Sequence, residues 1–396
     1  MQSNNNSKLI TIFLIVFIDL LGFGLILPLL PYIAESYAAN PLVIGILSAT
    51  YSLFQFIAGP ILGRLSDRYG RKKILIISQA GSVLGYLLLA TANSLPLLFL
   101  SRIIDGITGG NISIAQAYMA DITDKKTRAK GMGLLGAAFG LGFMLGPATG
   151  GYLSRFGFAI PALAAALIGT LTTLMTIFFL KETVNLKISS HSPNTKLTWA
   201  KFRLLLRKQP IGLLIIVCFL ISLGFAGMQG TYAIWAQDSF SWGPSQVGSL
   251  FAYIGILSII IQTQLLHRLI SYFGEKRLLI ISLPILALGF LLLSLTRSLS
   301  LHLFANFFIV LGNSLANPTL NALATENIEP SEYGETLGVL QSAGSLGRII
   351  GPALAGELYF VIGKNAPFQL SALILVTTAI YLSRRLLTLN VNKPSP

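Results

Sequence analysis

The chain has 396 residues, of which 54% are hydrophobic and only 11% charged, and its mean hydropathy is +0.74. That balance excludes an ordinary soluble domain and fits a polytopic helical membrane protein. The formal net charge of +14 does not indicate nucleic acid, because the Lys and Arg residues are dispersed among short loops rather than grouped on one face.

Met1 to Ser7 is polar and lacks the pattern of a cleaved signal peptide, so the first span is expected to be retained. Windows of about 20 apolar residues predict about twelve spans. They lie near 8–32, 42–63, 73–92, 95–118, 129–151, 159–180, 210–236, 245–268, 276–296, 299–322, 334–356 and 365–385. On this assignment about 23 of the 28 Lys and Arg fall on one side, a positive-inside bias that places both termini in the cytoplasm. Arg155, Arg297 and Lys364 fall on the other side, and Arg102 and Arg348 lie inside spans.

The turn between the second and third spans, Gly63-Arg64-Leu65-Ser66-Asp67-Arg68-Tyr69-Gly70-Arg71-Lys72-Lys73, crowds charge into a connection too short to leave the membrane surface. Its glycines suit close helices and a sharp turn, and its basic residues hold it on the cytoplasmic side. A degraded copy, Leu269 to Arg277, follows roughly 204 residues later, as expected of an internal repeat. Other features keep nearly the same offset. Leu21-Gly22-Phe23 recurs as Leu223-Gly224-Phe225, and Gly70 as Gly274. Asp121 and Asp124 recur as Glu326 and Glu329, Gly146-Pro147 as Gly351-Pro352, and Gly151 as Gly356. The fold class is therefore an all-α membrane protein of about twelve transmembrane helices in two six-helix pseudo-repeat halves. The expected organisation is an N-terminal half at 1–180, a cytoplasmic linker at 181–209 and a C-terminal half at 210–396. Trp199 to Lys208 in the linker has the spacing of an amphipathic surface helix.

Asp19 lies about halfway along the first span, where a carboxylate must be protonated, paired or in a wet cavity. A group poised between those states can carry a proton; the plainer reading is a structural hydrogen bond to a neighbouring helix. Arg102 and Asp105 are one turn apart on the fourth span and share a face, with Gln116 expected on the same side. Arg102 stays charged, and either Asp105 or Asp19 is a suitable partner. Protonating that acid would release Arg102 and bias the protein toward one opening, whereas a permanent ion pair would only fix packing.

Helical phase groups Asn306, Asn313, Asn317 and Asn321 on the tenth span and Phe225, Gln229 and Tyr232 on the seventh. With Phe23 and Gln116 they form the expected substrate cavity, lined by amides and aromatics that suit an amphiphilic solute. Arg348 is unusual at its depth, and suits an anionic group or lipid phosphate unless it snorkels. The acids Glu326, Glu329, Glu332 and Glu335 form a loop without Lys or Arg. Cys218 is the single cysteine, which rules out an intrachain disulfide and a cysteine metal cluster. His191, His267 and His302 lack metal-ligand spacing and are expected at surfaces or helix ends. No P-loop, nucleophile elbow or zinc-binding helix appears, so no cofactor, metal or enzymatic activity is expected.

The turn at 63–73, the Gly22/Pro28/Pro31 pattern of the first span, the Leu98/Arg102/Gly106/Thr108 pattern of the fourth and Gly142 to Gly151 in the fifth occur in order on the expected helices. Together they resemble the major facilitator superfamily, and within it the twelve-helix drug:proton antiporters, over essentially the whole chain. Arg102 to Gly109 through Ala120-Asp121-Ile122-Thr123 is similar to the fourth helix of the tetracycline/proton antiporters, whose first-helix aspartate corresponds to Asp19. Gly85, Ser258 and Leu286 stand where those proteins carry an acid, a histidine and a second acid. Those groups handle a metal–drug chelate, so export of tetracycline itself does not follow.

The resemblance implies proton-driven export of a small hydrophobic or amphiphilic compound from the inner membrane, by a chain able to work as a monomer in contact with lipid. It implies a cytoplasmic gate of Gly63, Asp67, Arg68, Gly70, Arg71 and Asp121, in which Asp67 docks near the start of the eleventh helix and Arg71 bridges to Asp121. It also implies an antiporter motif of Gly142, Gly146, Pro147, Gly150 and Gly151 making a tight contact between the halves. A proton-coupled metabolite or sugar importer is the alternative within this fold; a membrane-embedded lipid-handling protein and a non-transporting receptor are alternatives from other classes.

Overall fold

The computed structural model describes residues 2–123, 127–183, 205–207, 209–326 and 333–386. Most of the linker, Asp124, His191, Glu329 and Glu332 lie outside the described residues, as do the side chain of Glu335 and all but 205–207 of the expected amphipathic segment. The helices, in chain order, are α1 (Gln2–Ile26), α2 (Leu30–Glu35), α3 (Pro41–Tyr69), α4 (Arg71–Ala90), α5 (Leu95–Thr108), α6 (Asn111–Ile122) and α7 (Arg128–Leu153). They continue with α8 (Ala159–Phe179), α9 (Ile211–Phe240), α10 (Pro244–Ile260), α11 (Leu266–Leu295), α12 (Leu299–Glu326), α13 (Tyr333–Val361) and α14 (Ala366–Leu386). Among the described residues there is no strand.

Ten helical runs among the described residues are long and apolar enough to cross a membrane. One of them, Pro244–Leu295, is 52 residues long and contains two of the expected spans, joined across a wider π-helical turn at Ile261–Leu265. It is divided at Gly274, whose φ of 72° and ψ of 160° are non-helical.

Two expected spans are broken. The first stops at Ile26 and resumes at Leu30, with Pro28, which has no amide hydrogen, in the gap. The fourth stops at Thr108 and resumes at Asn111 after the pair Gly109-Gly110. A break at membrane depth frees carbonyls that must find partners in the protein. Gln55 of α3 donates to Gly109 O at 2.8 Å, and Ser78 of α4 donates to Thr108 O. The sequence patterning predicts one continuous helix here, because two glycines cost too little apolarity to register as a gap.

The helices pack into two compact units that cut across the chain halves. One comprises Met1–Asn194 with Gly230–Gly255; the other comprises Thr195–Gln229 with Ile256–Pro396. The second half of α9 and the first of α10 thus pack with the N-terminal helices. Three contacts explain this. Tyr32 Oη donates to Trp242 O at 3.0 Å and Ala233 O at 3.3 Å. A Cβ at Gly151 of α7 would lie 2.5 Å from Pro244 O and 3.2 Å from the Gly248 Cα of α10. Arg155 donates to Ser245 Oγ at 2.8 Å.

Candidate functional site

The first unit holds two polar centres. At the charged turn, α3 ends and α4 begins around Gly70, whose φ of 106° favours glycine. Arg71 at the start of α4 reaches Asp67 of α3 (Nη1–Oδ1 2.6 Å), Asp121 of α6 (Nε–Oδ2 3.2 Å) and Ser66 Oγ (2.7 Å). Asp67, Arg71 and Asp121 are thus brought together. Arg68 is not part of this cluster: it is exposed and stacks over its neighbour Tyr69 at 5.3 Å. Gly63 is not demanded by packing, since a Cβ there would meet nothing within 4 Å.

The cluster has two members that the motif did not contain. Glu182, just beyond α8, accepts from the Arg71 amide (2.9 Å) and the Lys72 amide (3.2 Å), placing a carboxylate on the open N-terminus of α4. Thr183 Oγ1 donates to Asp121 Oδ2 at 3.0 Å. A Cβ at Gly70 would collide with the Glu182 carboxylate, so this glycine serves both the turn and the acid beside it. Arg71 and Glu182 are 111 positions apart, and no local pattern links them.

Deeper in the unit, Arg102 Nη1 donates to Asp105 Oδ2 at 3.2 Å; the two side chains are 3% and 2% exposed. Asp105, not Asp19, is the partner of Arg102. The position opposite is Gly85, where a Cβ would stand 3.0 Å from the Asp105 Cβ, so the small residue admits the acid-bearing turn. Asp19 is held separately, accepting from Asn111 Nδ2 at 2.8 Å. Asn111 is the first residue of α6, so the broken fourth span delivers an amide to the first-span acid. Its signal in the sequence was the preceding glycine pair inside an apolar run. Gln79 of α4 lines the same small cavity as Asp19 and Asn111 and carried no sequence signal. The break also changes helical phase. Gln116 is exposed, while Arg102 and Asp105 are buried, so the expected shared face is not formed.

The glycines of α7 face the first helix, not the other half. A Cβ at Gly142 would lie 2.7 Å from the Leu20 Cβ, one at Gly146 2.7 Å from the Gly24 Cα, and one at Gly150 would strike Leu25 O. The adjacent face, Met144, Pro147 and Gly151, meets the α10 segment, where a Cβ at Gly248 would strike Pro147 O and one at Gly255 would lie 2.7 Å from the Met144 Cβ.

The expected cavity residues divide. Phe23 is half-buried against Tyr51 (centroids 5.1 Å) and Phe143 (6.0 Å). Phe225 and Gln229 are half-buried, whereas Tyr232 is 1% exposed and packed among Trp235 and Phe251. Asn313 and Asn317 are half-buried and bonded to each other, Asn317 Nδ2 to Asn313 Oδ1 at 2.9 Å. Asn306 is fully buried and donates to His302 O at 2.9 Å. His302 lies in the first turns of α12 with 0% exposure rather than at the expected surface. Arg348, near the middle of α13, is half-buried and donates to Ser345 Oγ at 2.8 Å. No cluster of three or more metal-ligating side chains occurs among the described residues.

Among the described residues, an array of apolar helices with an acid inside a span, a buried ion pair and a charged turn fits a membrane transporter. The family model described as Major Facilitator Superfamily matches residues 12–269 and 230–396. The chain is 31% identical to the tetracycline resistance protein, class C, of Escherichia coli, covering 91% of each. It is 29% identical to multidrug resistance protein 2 of Bacillus subtilis (strain 168), covering 95% of this chain and 94% of that one. Among solved structures, it resembles the human organic anion transporter MFSD10 (TETRAN) with a TM-score of 0.73 and 28% identity, covering 96% of this chain and 99% of that one. The chain belongs to the major facilitator superfamily and is an integral, multi-pass membrane protein.

Proposed function

We propose that this transporter exports a small hydrophobic or amphiphilic compound in exchange for protons by alternating access. The observation that carries the reading is Asp19: an acid within the first span, held at 2.8 Å by an amide that a break in the fourth span delivers. A carboxylate in the membrane interior, held by a neutral donor rather than a cation, can take up and release a proton without breaking an ion pair. Arg102 and Asp105 form the second part of the coupling device, in which loss of the Asp105 charge frees Arg102. The Asp67–Arg71–Asp121 cluster acts as a cytoplasmic gate, and the α7 glycines fix the helix geometry on which it opens. Phe23 and Gln116 of the first unit and Phe225, Gln229, Asn313 and Asn317 of the second are the candidate substrate contacts, while Tyr232 is buried among aromatic rings. The related tetracycline and multidrug resistance proteins support export; the proposed setting is the inner membrane, with both termini in the cytoplasm. Each chain works as a monomer.

A second reading concerns the cargo. Arg348 at mid-helix, with Ser345 on its guanidinium, suits a compound bearing an acidic group, and MFSD10, which the chain resembles, is an organic anion transporter.

The test is proton flux in inside-out proteoliposomes under an imposed pH gradient. The probes are lipophilic cations, tetracyclines, neutral amphiphiles and acidic amphiphiles. The reading requires gradient collapse that depends on a substrate and is lost in Asp19→Asn. If no compound moves protons in folded protein, a narrow metabolite importer becomes the better account.

A further inference from the structure

The cavity beside Asp19 has unusual walls. Ile15 of α1, Leu75 of α4 and Ile112 of α6 make it apolar on one side, and Asp19, Gln79 and Asn111 make it polar on the other. It has room for about one water molecule, far too little for a drug-like solute. Gln79 is 1% exposed, yet neither its Oε1 nor its Nε2 has a partner; Asn111 is 7% exposed, and its Oδ1 has none. Buried polar atoms are normally paired, and all three belong to residues that line this one cavity.

The chemistry of those atoms selects the guest. Two oxygens need a donor, and one amide nitrogen needs an acceptor. An apolar guest satisfies none of them. A bare cation satisfies the oxygens and leaves the Gln79 amide hydrogens pointing at a positive charge. Water suits all three, since it gives two hydrogen bonds and accepts two, and turning one O–H from Asn111 Oδ1 to the adjoining Asp19 aims a proton at the acid. The orientation of Asn111 is fixed by the acid: its Nδ2 is on Asp19 Oδ2 at 2.8 Å, and flipping it would set oxygen against carboxylate. Asn111 thus touches the carboxylate with one end of its amide and the cavity with the other.

We propose that Gln79 and Asn111 form a binding site for one water molecule that protonates Asp19. This deepens the proton-antiport reading and rests on it. In the step, an O–H bond of the bound water breaks and its proton passes to an Asp19 oxygen. The water takes a replacement proton from aqueous protons arriving through solvent, so it leaves the cycle unchanged. Asp19 is the proton carrier; Gln79 and Asn111 are positioning residues that hold the donor against it.

The test is hydrogen–deuterium exchange of the Asp19 carboxyl in proteoliposomes. It is followed by infrared difference spectroscopy after transfer into D2O, with the band assigned by its loss in Asp19→Asn. Gln79→Leu replaces both polar atoms with methyls and fills the space. Exchange in that variant should slow on the order of a hundredfold, the scale of a lost positioned proton donor. Gln79→Ser keeps a hydroxyl and leaves room for water, and should recover most of the wild-type rate. Thermal melting of both variants at the wild-type temperature separates this result from misfolding. Exchange at the wild-type rate in Gln79→Leu would overturn the water site. So would flux that follows a sodium gradient in place of a pH gradient, which would make the guest a cation. If Asp19→Asn vesicles keep proton-coupled flux, the antiport role of Asp19 itself fails. If they lose it while Gln79→Leu exchanges normally, only the water site fails.

Discussion

α7 lies on α1 through Gly142, Gly146 and Gly150, and α13 lies on α9 through Gly344, Gly347 and Gly351. In each pair a Cβ at a central glycine would strike the partner backbone: Gly146 on Gly24, and Gly351 on Leu223 O. The turn conformation is duplicated as well, with Gly70 at φ 106° and Gly274 at φ 72°. The charges are duplicated only in part, Asp121 and Asp124 keeping acids at Glu326 and Glu329. Where the first half has Asp19, Asp67 and Arg71, the repeat offset places Ile221, Ser271 and Glu275 in the second. One half thus kept both the scaffold and the ionisable groups; the other kept the scaffold and acquired half-buried amides and Arg348. The backbone of a duplicated helix set is constrained by close approach, which tolerates no added atom. Its polar groups are free to specialise.

That contrast can be broken at several points. The largest expected effect is at the gate. Asp67→Asn should abolish transport while leaving membrane insertion intact, and Ser271→Ala, at the matching place, should transport as wild type. Flux and surface labelling on the same vesicles decide, and equal activity in the two variants would remove the functional asymmetry. Next come the helix contacts, where the halves should behave alike. Gly146→Val and Gly351→Val each drive a branched side chain into backbone, and each should cost about 1–3 kcal/mol by overpacking, visible as a lower melting temperature. A large loss in one half only would show that the ladders are not equivalent. The turn glycines sharpen the comparison. Gly274→Ala meets nothing within 4 Å and should cost only the positive φ, about 1–2 kcal/mol. Gly70→Ala pays the same and also displaces Glu182, so its melting temperature should fall further and its transport should drop. The smallest effect is at Thr183→Val, which removes one partly exposed hydrogen bond to Asp121. It should cost about 0.5–1.5 kcal/mol and slow transport mildly; a full loss of flux there would make Thr183 part of the gate itself.

The helices and their repeat were legible because apolar runs and glycine registers are local and numerous. The Arg102–Asp105 pair was legible because three residues make one helical turn. The Arg71–Asp121 contact came from resemblance, not from spacing. Gln79 and Glu182 were not legible. A buried glutamine in an apolar helix has no periodic mark, and a carboxylate that caps a helix 111 positions away is a product of the fold. Gln116 was misplaced because its phase was counted through Gly109-Gly110 as if the helix were unbroken. The seating of residues 230–255 with the N-terminal helices was likewise invisible, since it depends on two glycines, Gly151 and Gly248, meeting from distant parts of the chain.

The interruption at Gly109-Gly110 also limits how sequences of this architecture can drift. A side chain at 109 would press on Asp105 O and the Tyr51 hydroxyl, each 3.0 Å away, and one at 110 would meet Leu62 at 2.6 Å. Replacing either glycine therefore needs side chains of α3 to give way, Tyr51 at one position and Leu62 at the other. Substitution at the gap is coupled to α3, so the break should drift more slowly than the apolar residues around it.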